Sequence, residues 1–526
     1  KLVVMGGGPS TTLRLVANLA DGGELKDREA AAKELCELAG SVPEKRDQIA
    51  KAGGVVPLVA LLKVASPRGK EWTAAALGHL ALHPTNKALI ADAGGIEPLV
   101  ELVRSGTPGG KGAAATALAS LAGKSATNQD KIAKAGAVPA LVALLNTAEP
   151  QVREWAAAAL GNLALQHPGN QTLVGDADAV RPLVVLAAAA VTGAKDTPSG
   201  PLARLGCGRR APVSAPMASS DTAEMGEAGH GFTCSAKGKE WVAKALSSLA
   251  YNHTQNQIRI GEAGGIEPLV GLMKTGTPNA KYESLKALIN VVGGCPENKT
   301  RIAKAGAIPL LARFVEKGSQ DYWREIAAGL LGSLAQHHTA NQAAIDEAGA
   351  IQPLAMLVHT GSAQGKLYAA VALCNLSDGG QELKTRIGRD SMAIPGLVKL
   401  AEAGTPTART WAAKALISLA KGHEDNQRRI ANFGGMAALL EKKGFASMGM
   451  KLTRIDDGEE ALAAEEAASE STAALTTQLL DASPSVDPDG AGVAEANDTP
   501  AAATDRPDGE AEPGLEAVGE EAKKDC

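Results

Sequence analysis

Five histidines recur along the chain, each three residues before an asparagine, at His83, His167, His253, His338 and His423. Imidazole is a common metal ligand, so this recurrence is a candidate for metal chemistry. A zinc–nitrogen bond is about 2 Å long, whereas helices packed side by side lie roughly 10 Å apart. Histidines that occur once per structural unit therefore cannot share one ion. We interpret them as turn residues that could make binding mildly sensitive to pH, and we expect no metal site.

Signals for catalysis are weak. The segment MGGGPSTT near the N-terminus lacks the lysine of a phosphate-binding loop and follows no strand pattern. No Ser/His/Asp order and no paired-carboxylate spacing stand out. Six cysteines without a CxxC pair form neither a disulfide framework nor a zinc site. We therefore expect a protein that is not an enzyme and needs no cofactor, in the cytoplasm, with the nucleus or the periphery of a membrane as alternatives.

Aromatic residues are scarce, since Trp, Tyr and Phe contribute 5, 4 and 4 of the 526 residues, yet they recur at one position relative to a polar residue. Aromatic residues stand seven positions before the polar residue, at Trp72, Trp155, Trp241, Tyr368 and Trp411. Lysines stand four positions before it, at Lys244, Lys286 and Lys414. The polar position itself holds His79, Asn162, Asn290 and Asn375 in four of the units. Positions four and seven residues apart share one face of an α-helix. Trp and Tyr are frequent interface hot spots, and an amide both donates and accepts hydrogen bonds. This face is a candidate binding surface, and packing between helices is the alternative for the rings.

A basic residue stands nine positions before the same polar residue in every unit. These bases are Lys70, Lys111, Arg153, Lys239, Lys281, Arg324, Lys366 and Arg409. Nine residues rotate about half a turn away from the polar face, which places the bases on a ridge beside it. A cation near a helix N-terminus opposes the macrodipole, so the stability of that helix does not explain the choice. We interpret the row as a basic stripe for an acidic segment, or as solvated charge paired with the glutamate that follows.

These positions belong to segments that repeat. The segment NKALIADAGGIEPLVELV from Asn86 recurs as NQDKIAKAGAVPALVALL from Asn128, and the block EWAAAALGNLA recurs between such segments. Pro57, Pro98 and Pro139 are 41 residues apart. Each unit predicts a short first helix ending at glycine, a second helix beginning near a proline, and a third helix with Ala and Leu at helical spacing. Stacked units bury a continuous Ala/Leu core without aromatic residues, so the predicted fold class is all-α.

The pattern AGG(I/V)xPLVxLL followed by AAxALxNLA, at a period of ~42 residues, resembles the armadillo repeat over about residues 25–445. The resemblance implies a right-handed α-solenoid of about eight near-complete repeats with partial ends, whose third helices line a concave groove that binds proteins. The sequence looks most like vacuolar-inheritance and plant-type armadillo scaffolds. Nuclear-import adaptors pair a Trp with an Asn four residues later, but the residues four before Asn162 and Asn375 are Ala158 and Val371. Recognition of nuclear-localisation signals is therefore disfavoured.

The chain divides into five predicted segments. Residues 1–40 are truncated repeat material, 41–190 a first block of repeats, 191–238 a Gly/Pro/Ser-rich insert, 239–445 a second block, and 446–526 an acidic tail predicted to be disordered. The insert is interpreted as a disordered loop, with an incorrect gene structure or a degenerate extra repeat as alternatives. From residue 456 onward the chain has 20 acidic and 3 basic residues, a net −17, which leaves +12 for the remainder. We expect the tail to compete with acidic ligands for the basic body.

The sequence therefore predicts a monomeric, non-enzymatic scaffold or adaptor that binds extended or disordered segments of partner proteins, acidic segments among them. The scarcity of aromatic residues argues against nucleic-acid binding by base stacking. The longest apolar run, near residues 183–191, is much shorter than the ~20 residues of a membrane span. The alternatives are a substrate-binding or regulatory part of a ubiquitin-ligase complex and, less favoured, a nuclear-import adaptor.

Overall fold

The computed structural model describes residues 9–19, 23–192, 234–293, 295–316 and 319–434, which form 27 helices that follow one another as triplets. The first helices are α3 (Pro43–Lys51), α6 (Pro84–Asp92), α9 (Ala126–Lys134), α12 (Pro168–Asp176), α15 (Thr254–Glu262), α18 (Pro296–Lys304), α21 (Thr339–Glu347), α24 (Gln381–Arg389) and α27 (Glu424–Asn432). The second helices are α1 (Pro9–Asn18), α4 (Val55–Val64), α7 (Ile96–Ser105), α10 (Ala137–Leu144), α13 (Val180–Thr192), α16 (Ile266–Thr275), α19 (Ala307–Val315), α22 (Ile351–Thr360) and α25 (Ala393–Ala403). The third helices are α2 (Leu25–Ser41), α5 (Pro67–Leu80), α8 (Pro108–Ala122), α11 (Pro150–Ala164), α14 (Ala236–Ala250), α17 (Pro278–Val292), α20 (Asp321–Ala335), α23 (Ala363–Ser377) and α26 (Pro406–Ala420).

Eight complete triplets run from α3 to α26, with α1 and α2 before them and α27 after them. This arrangement confirms the predicted all-α stack of about eight repeats with partial ends. Helices α13 and α14 extend two and three residues into the predicted insert of 191–238, because they end at Thr192 and begin at Ala236. The rest of the insert and the acidic tail lie outside the described residues.

Local sequence signals set where these helices begin and end. Six third helices begin after a Ser or Thr whose hydroxyl accepts a hydrogen bond from the N–H three residues later, namely Ser66, Thr107, Ser235, Thr277, Ser362 and Thr405. Proline follows four of these caps, where its missing N–H is harmless. Between first and second helices the chain turns through a glycine with positive φ, such as Gly94 at 74° and Gly306 at 80°. The turn residues of the repeat thus have local physical causes.

The core lies between stacked repeats and consists of small and aliphatic side chains. Each third helix packs against the third helix before it and the one after it. Leu77, Leu118 and Leu160 are fully buried in this stack. Glycine allows the closest approach, since a Cβ on Gly161 would lie 2.9 Å from the Cα of Ala245 in the next third helix. Close packing of small residues therefore takes the place of large aromatic side chains.

Asparagines at the start of the first helices join consecutive repeats. Asn256 Nδ2 donates to Leu249 O at the end of its neighbouring third helix and to Gln171 O in the preceding first helix, both at 3.0 Å. The same paired donation is made by Asn86, Asn128, Asn298, Asn341 and Asn426. The third-helix carbonyl is one of those that a helix end leaves without an intrahelical partner, and the second bond ties the asparagine to the preceding first helix.

Four of the five recurring histidines are N-caps of first helices. The Nδ1 atoms of His167, His253, His338 and His423 accept hydrogen bonds of 3.2 to 3.3 Å from the N–H three residues later. The Nε2 atom of His253 lies 3.0 Å from Thr172 Oγ1, whose own proton goes to Pro168 O. The network therefore assigns a neutral ring with the proton on Nε2. His83 differs, because its side chain makes no capping bond.

Replacing His253 by alanine should lower the free energy of unfolding by about 1 kcal/mol, because α15 loses its N-cap and the bond to Thr172. Asparagine at this position keeps a side-chain acceptor and should restore most of the loss. Urea denaturation followed by circular dichroism measures both variants.

The matched control is His83→Ala. It removes the histidine at the equivalent turn of another repeat, where the side chain makes no capping bond. An equal loss of stability in His83→Ala and His253→Ala would show that the capping bond is not the cause.

Candidate functional site

The predicted binding face is divided between exposed and buried members. We call the residues at the recurring polar position, and four and seven positions before it, the groove face. Its partly exposed members are Trp72, Trp155, Trp241, His79, Asn162, Lys244, Lys286 and Lys414. Tyr368, Trp411, Asn290 and Asn375 are instead buried, with 2, 3, 4 and 7% of their surface exposed. The accessible part of the groove face is therefore concentrated on α5, α11, α14 and α17.

The aromatic members also pack between repeats. The Trp155 ring lies directly over Gly112 of α8, where any Cβ would collide with it. Trp72 has Lys33 and Arg68 at 5.6 and 5.5 Å from its ring centre, which are cation–π distances. The packing alternative thus describes Tyr368 and Trp411. Trp72 and Trp155 combine contacts to the preceding third helix with partial exposure, and Trp241 is partly exposed.

The asparagines of the groove face donate inward. Asn162, Asn290 and Asn375 Nδ2 donate to the carbonyl oxygens of Ala119, Ser247 and Gly332, each in the preceding third helix. These bonds of 2.9 to 3.0 Å connect neighbouring third helices. The amides therefore hold the face together as well as forming part of it. For Asn162, which is partly exposed, the carbonyl oxygen and the second N–H are the groups suited to a peptide backbone.

His79 occupies the polar position on α5, close to the small residue Gly40 of α2. Burial, followed in size by the positive charge of Arg46, lowers the pKa of His79 below its ordinary value. A buried imidazole favours its neutral form because desolvation penalises the charge. His79 therefore contributes a neutral polar group to this end of the groove face.

The basic stripe lies in the first turn of the third helices. The backbone N–H groups of its members donate to the N-cap carbonyls, as for Lys70 to Ser66 at 2.8 Å. Arg153 and Arg324 are buried, whereas the other six are partly exposed. Arg324 Nε donates to Val315 O at 3.2 Å, at the end of the preceding second helix. A cation stabilises a helix C-terminus, so the position of Arg324 is favourable for the preceding second helix although it opposes the dipole of its own third helix.

The glutamates that follow the bases bind the next repeat. Glu154 Oε1 and Oε2 accept bonds of 2.6 Å from Ser235 N–H and its hydroxyl, the N-cap of α14. Glu29 makes the same pair of bonds to Ser66, Glu240 accepts from Thr277, and Glu325 accepts from Ser362. We call these four residues the glutamate clasps. Their carboxylates are engaged at helix N-termini, and Glu154 in addition lies close enough to Arg153 to act on it electrostatically.

Sequence reasoning missed the clasps and a second set of side chains, on first helices, that cap the C-terminal end of the third helix of the same repeat. Gln171 Nε2 donates to Ser248 O and Tyr251 O at 2.8 Å, and Lys299 Nζ donates to Gln336 O at 3.0 Å. A signal existed in the recurrence of glutamate directly after the base, and of Gln or Lys directly after the first-helix asparagine. Neither pattern identifies its partner, because the partner of a clasp lies in another repeat and the partner of the Gln or Lys lies two helices further along the chain.

Two further findings bear on the chemistry of the described ranges. No helix within them is both long and apolar enough to cross a lipid bilayer. In the same part of the chain, no group of three or more His, Cys, Asp or Glu side chains is arranged to hold a metal ion.

This geometry defines a class of protein, the α-solenoid built from stacked three-helix repeats. The family model described as Armadillo/beta-catenin-like repeat matches residues 83–123 and 125–165. Residues 83–165 therefore contain two armadillo repeats, and the stack of helix triplets has the armadillo-repeat fold. No curated protein matches it in sequence.

One solved structure shares this fold over most of the chain, and designed armadillo proteins are among the other similar structures. An engineered protein from the Northeast Structural Genomics Consortium is 26% identical with a TM-score of 0.66, over 89% of this chain and 98% of that one. A designed armadillo repeat protein is 21% identical with a TM-score of 0.41, covering 53% of this chain and 99% of its own. Another designed armadillo repeat protein, in complex with the peptide (KR)4, is 20% identical with a TM-score of 0.41 over the same shares.

Proposed function

We propose that this protein is a non-enzymatic scaffold that binds an extended segment of a partner protein along its groove face, with the centre of binding on α11, α14 and α17. The observation that carries the proposal is the placement of Trp155 and Trp241, both partly exposed, on two adjacent third helices. Asn162, Lys244 and Lys286 lie on the same face of this group of helices. Aromatic rings beside polar groups are typical of interface hot spots.

The charge on these helices favours an acidic segment. Lys239, Lys244 and Lys281 lie on α14 and α17, and the carboxylates of the glutamate clasps are bonded to N-caps of following repeats. Glu283 on α17 lies 3.4 Å from Lys286, so part of the charge is compensated locally. The remaining excess of lysine supports recognition of Asp- and Glu-containing partner segments through complementary charge.

The double variant Trp155→Ala with Trp241→Ala should weaken binding of a labelled acidic peptide by about tenfold or more, because two aromatic contacts are lost. A peptide of alternating Glu and Ser residues serves as the probe, and fluorescence anisotropy measures its affinity. A basic peptide of the same length should bind more weakly, and preferential binding of the basic peptide would favour an import-adaptor role.

The matched control is Leu89→Ala with Leu173→Ala, which removes two exposed apolar side chains from first helices. Circular dichroism establishes that both double variants are folded. If the folded tryptophan variant binds the acidic peptide as tightly as the parent, the rings act in packing only and the proposed centre is wrong.

A further inference from the structure

We propose that residues 456–526 of this chain occupy the lysines of the basic stripe on α14, α17 and α23, and so compete with partner segments for the third helices. The inference deepens the proposed function and rests on it for its consequence, because an occupied face is less available to an acidic ligand. Its own test is direct contact between the tail and named lysines. That contact can be measured without any partner peptide.

Three lysines of the basic stripe form no ion pair with another of the described residues. Lys239, Lys281 and Lys366 each stand in the first turn of a third helix, with the backbone N–H bonded to the N-cap carbonyl at 2.9 to 3.0 Å. They are partly exposed. Lysine at this depth keeps its stem against the protein and its ammonium group towards water. The three ammonium groups therefore recur at one place in three repeats, on α14, α17 and α23.

The acidic residue directly after Lys239 is engaged elsewhere, and no acidic residue directly follows Lys281 or Lys366. Glu240 follows Lys239 directly, yet its Oε1 accepts from Thr277 Oγ1 at 2.9 Å and its Oε2 lies 3.1 Å from Lys237. Lys281 is followed by Tyr282 and Lys366 by Leu367, neither of which carries a charge. The residues directly after Lys239, Lys281 and Lys366 therefore do not neutralise these lysines.

Charge and length identify residues 456–526 as the segment that occupies these lysines. Residues 456–526 carry 20 acidic and 3 basic residues, a net −17, against +12 for the rest of the chain. The described helices end with α27, next to α26, and 92 residues follow residue 434. An extended chain spans up to about 3.3 Å per residue, so a segment of this length reaches every third helix. Tethering by a chain of this kind gives an effective concentration far above that of a free ligand.

Zero-length carbodiimide crosslinking of the full chain tests the contact, since the reagent joins a carboxylate to an amine only when the two groups touch. At about 30 mM salt, we expect crosslinks from tail Asp and Glu residues to Lys239, Lys281 and Lys366 within monomers, and a strong reduction at about 300 mM salt because screening weakens such contacts. Lys274 and Lys304, which are exposed on a second and a first helix, are the matched control lysines. Equal crosslinking to the controls, or none to the stripe, would overturn the inference.

A second measurement connects the contact to binding. The full chain and a chain ending at residue 455, which keeps every described helix, are compared for affinity to the labelled acidic peptide. We expect the shorter chain to bind severalfold more tightly at low salt, and removal of the tail to change the affinity much less in the variant Lys239→Gln/Lys281→Gln/Lys366→Gln. Equal affinity of the two chains refutes competition. Loss of binding in the tryptophan variant, by contrast, reports only on the proposed function.

Discussion

Deleting residues 190–233 is expected to raise the free energy of unfolding by about 2 kcal/mol. The deletion joins residue 189 to Cys234 and leaves two residues before α14, as Gly276 and Thr277 stand between α16 and α17. Each doubling of the length of a connection costs about 0.6 kcal/mol of closure entropy, and shortening the connection between α13 and α14 from 43 residues to two removes more than four doublings. Loss of the contact between Val191 and Gly271 offsets part of the gain. Chemical denaturation of the two chains measures the difference.

The structural reason to expect a folded product is the continuity of the stack across the insert. Helices α11 and α14 pack against each other like other neighbouring third helices, and Glu154 binds the N-cap Ser235 with two bonds of 2.6 Å. The control replaces residues 193–233 by a Gly/Ser segment of the same length, which should leave stability unchanged. A large loss of stability in that control would show that residues 193–233 contribute contacts of their own.

Replacing Asn256 by alanine is expected to lower the free energy of unfolding by about 2 to 4 kcal/mol, since the buried Leu249 O is left without its side-chain donor and Gln171 O loses a second one. Asn256 is fully buried, and its amide bridges Leu249 O and Gln171 O. Both carbonyls belong to the repeat before the one that begins with α15, so the substitution weakens the interface between two repeats. In a linear stack this should broaden or split the denaturation transition, because stability is the sum of repeat and interface terms.

The adjacent residue Gln255 provides the matched control. It lies on the same helix and is exposed, so Gln255→Ala should change stability by less than about 0.5 kcal/mol. Denaturation of both variants, followed by circular dichroism, separates the loss of the bridging amide from a general effect of alanine in α15. Similar stability of the two variants would contradict the structural role of the asparagine.

Much of the fold follows from local sequence alone. The Gly turn at Gly94, the Ser or Thr caps such as Ser66, and the Ala/Leu pattern of the third helices each act within a few residues, so periodicity was enough to predict the triplets. The number of repeats and the all-α class are confirmed for this reason. The position shared by Trp155 and Trp241 was also readable, since it depends only on helical spacing.

Tertiary structure alone decided what each recurring side chain does, because its partner lies in the neighbouring repeat. Spacing assigns Trp155 and Trp411 the same position, yet the neighbours of Trp411 leave it 3% exposed, whereas Trp155 stays partly open. In the sequence Glu154 stands beside Arg153 and is interpreted as its partner. In the structure its carboxylate accepts a hydrogen bond from Ser235, which is 81 residues away. The sequence by itself determined an armadillo-type stack with one recurring face. Which residues of that face are free to bind was decided between repeats, where burial and hydrogen bonding depend on the identity of the neighbour.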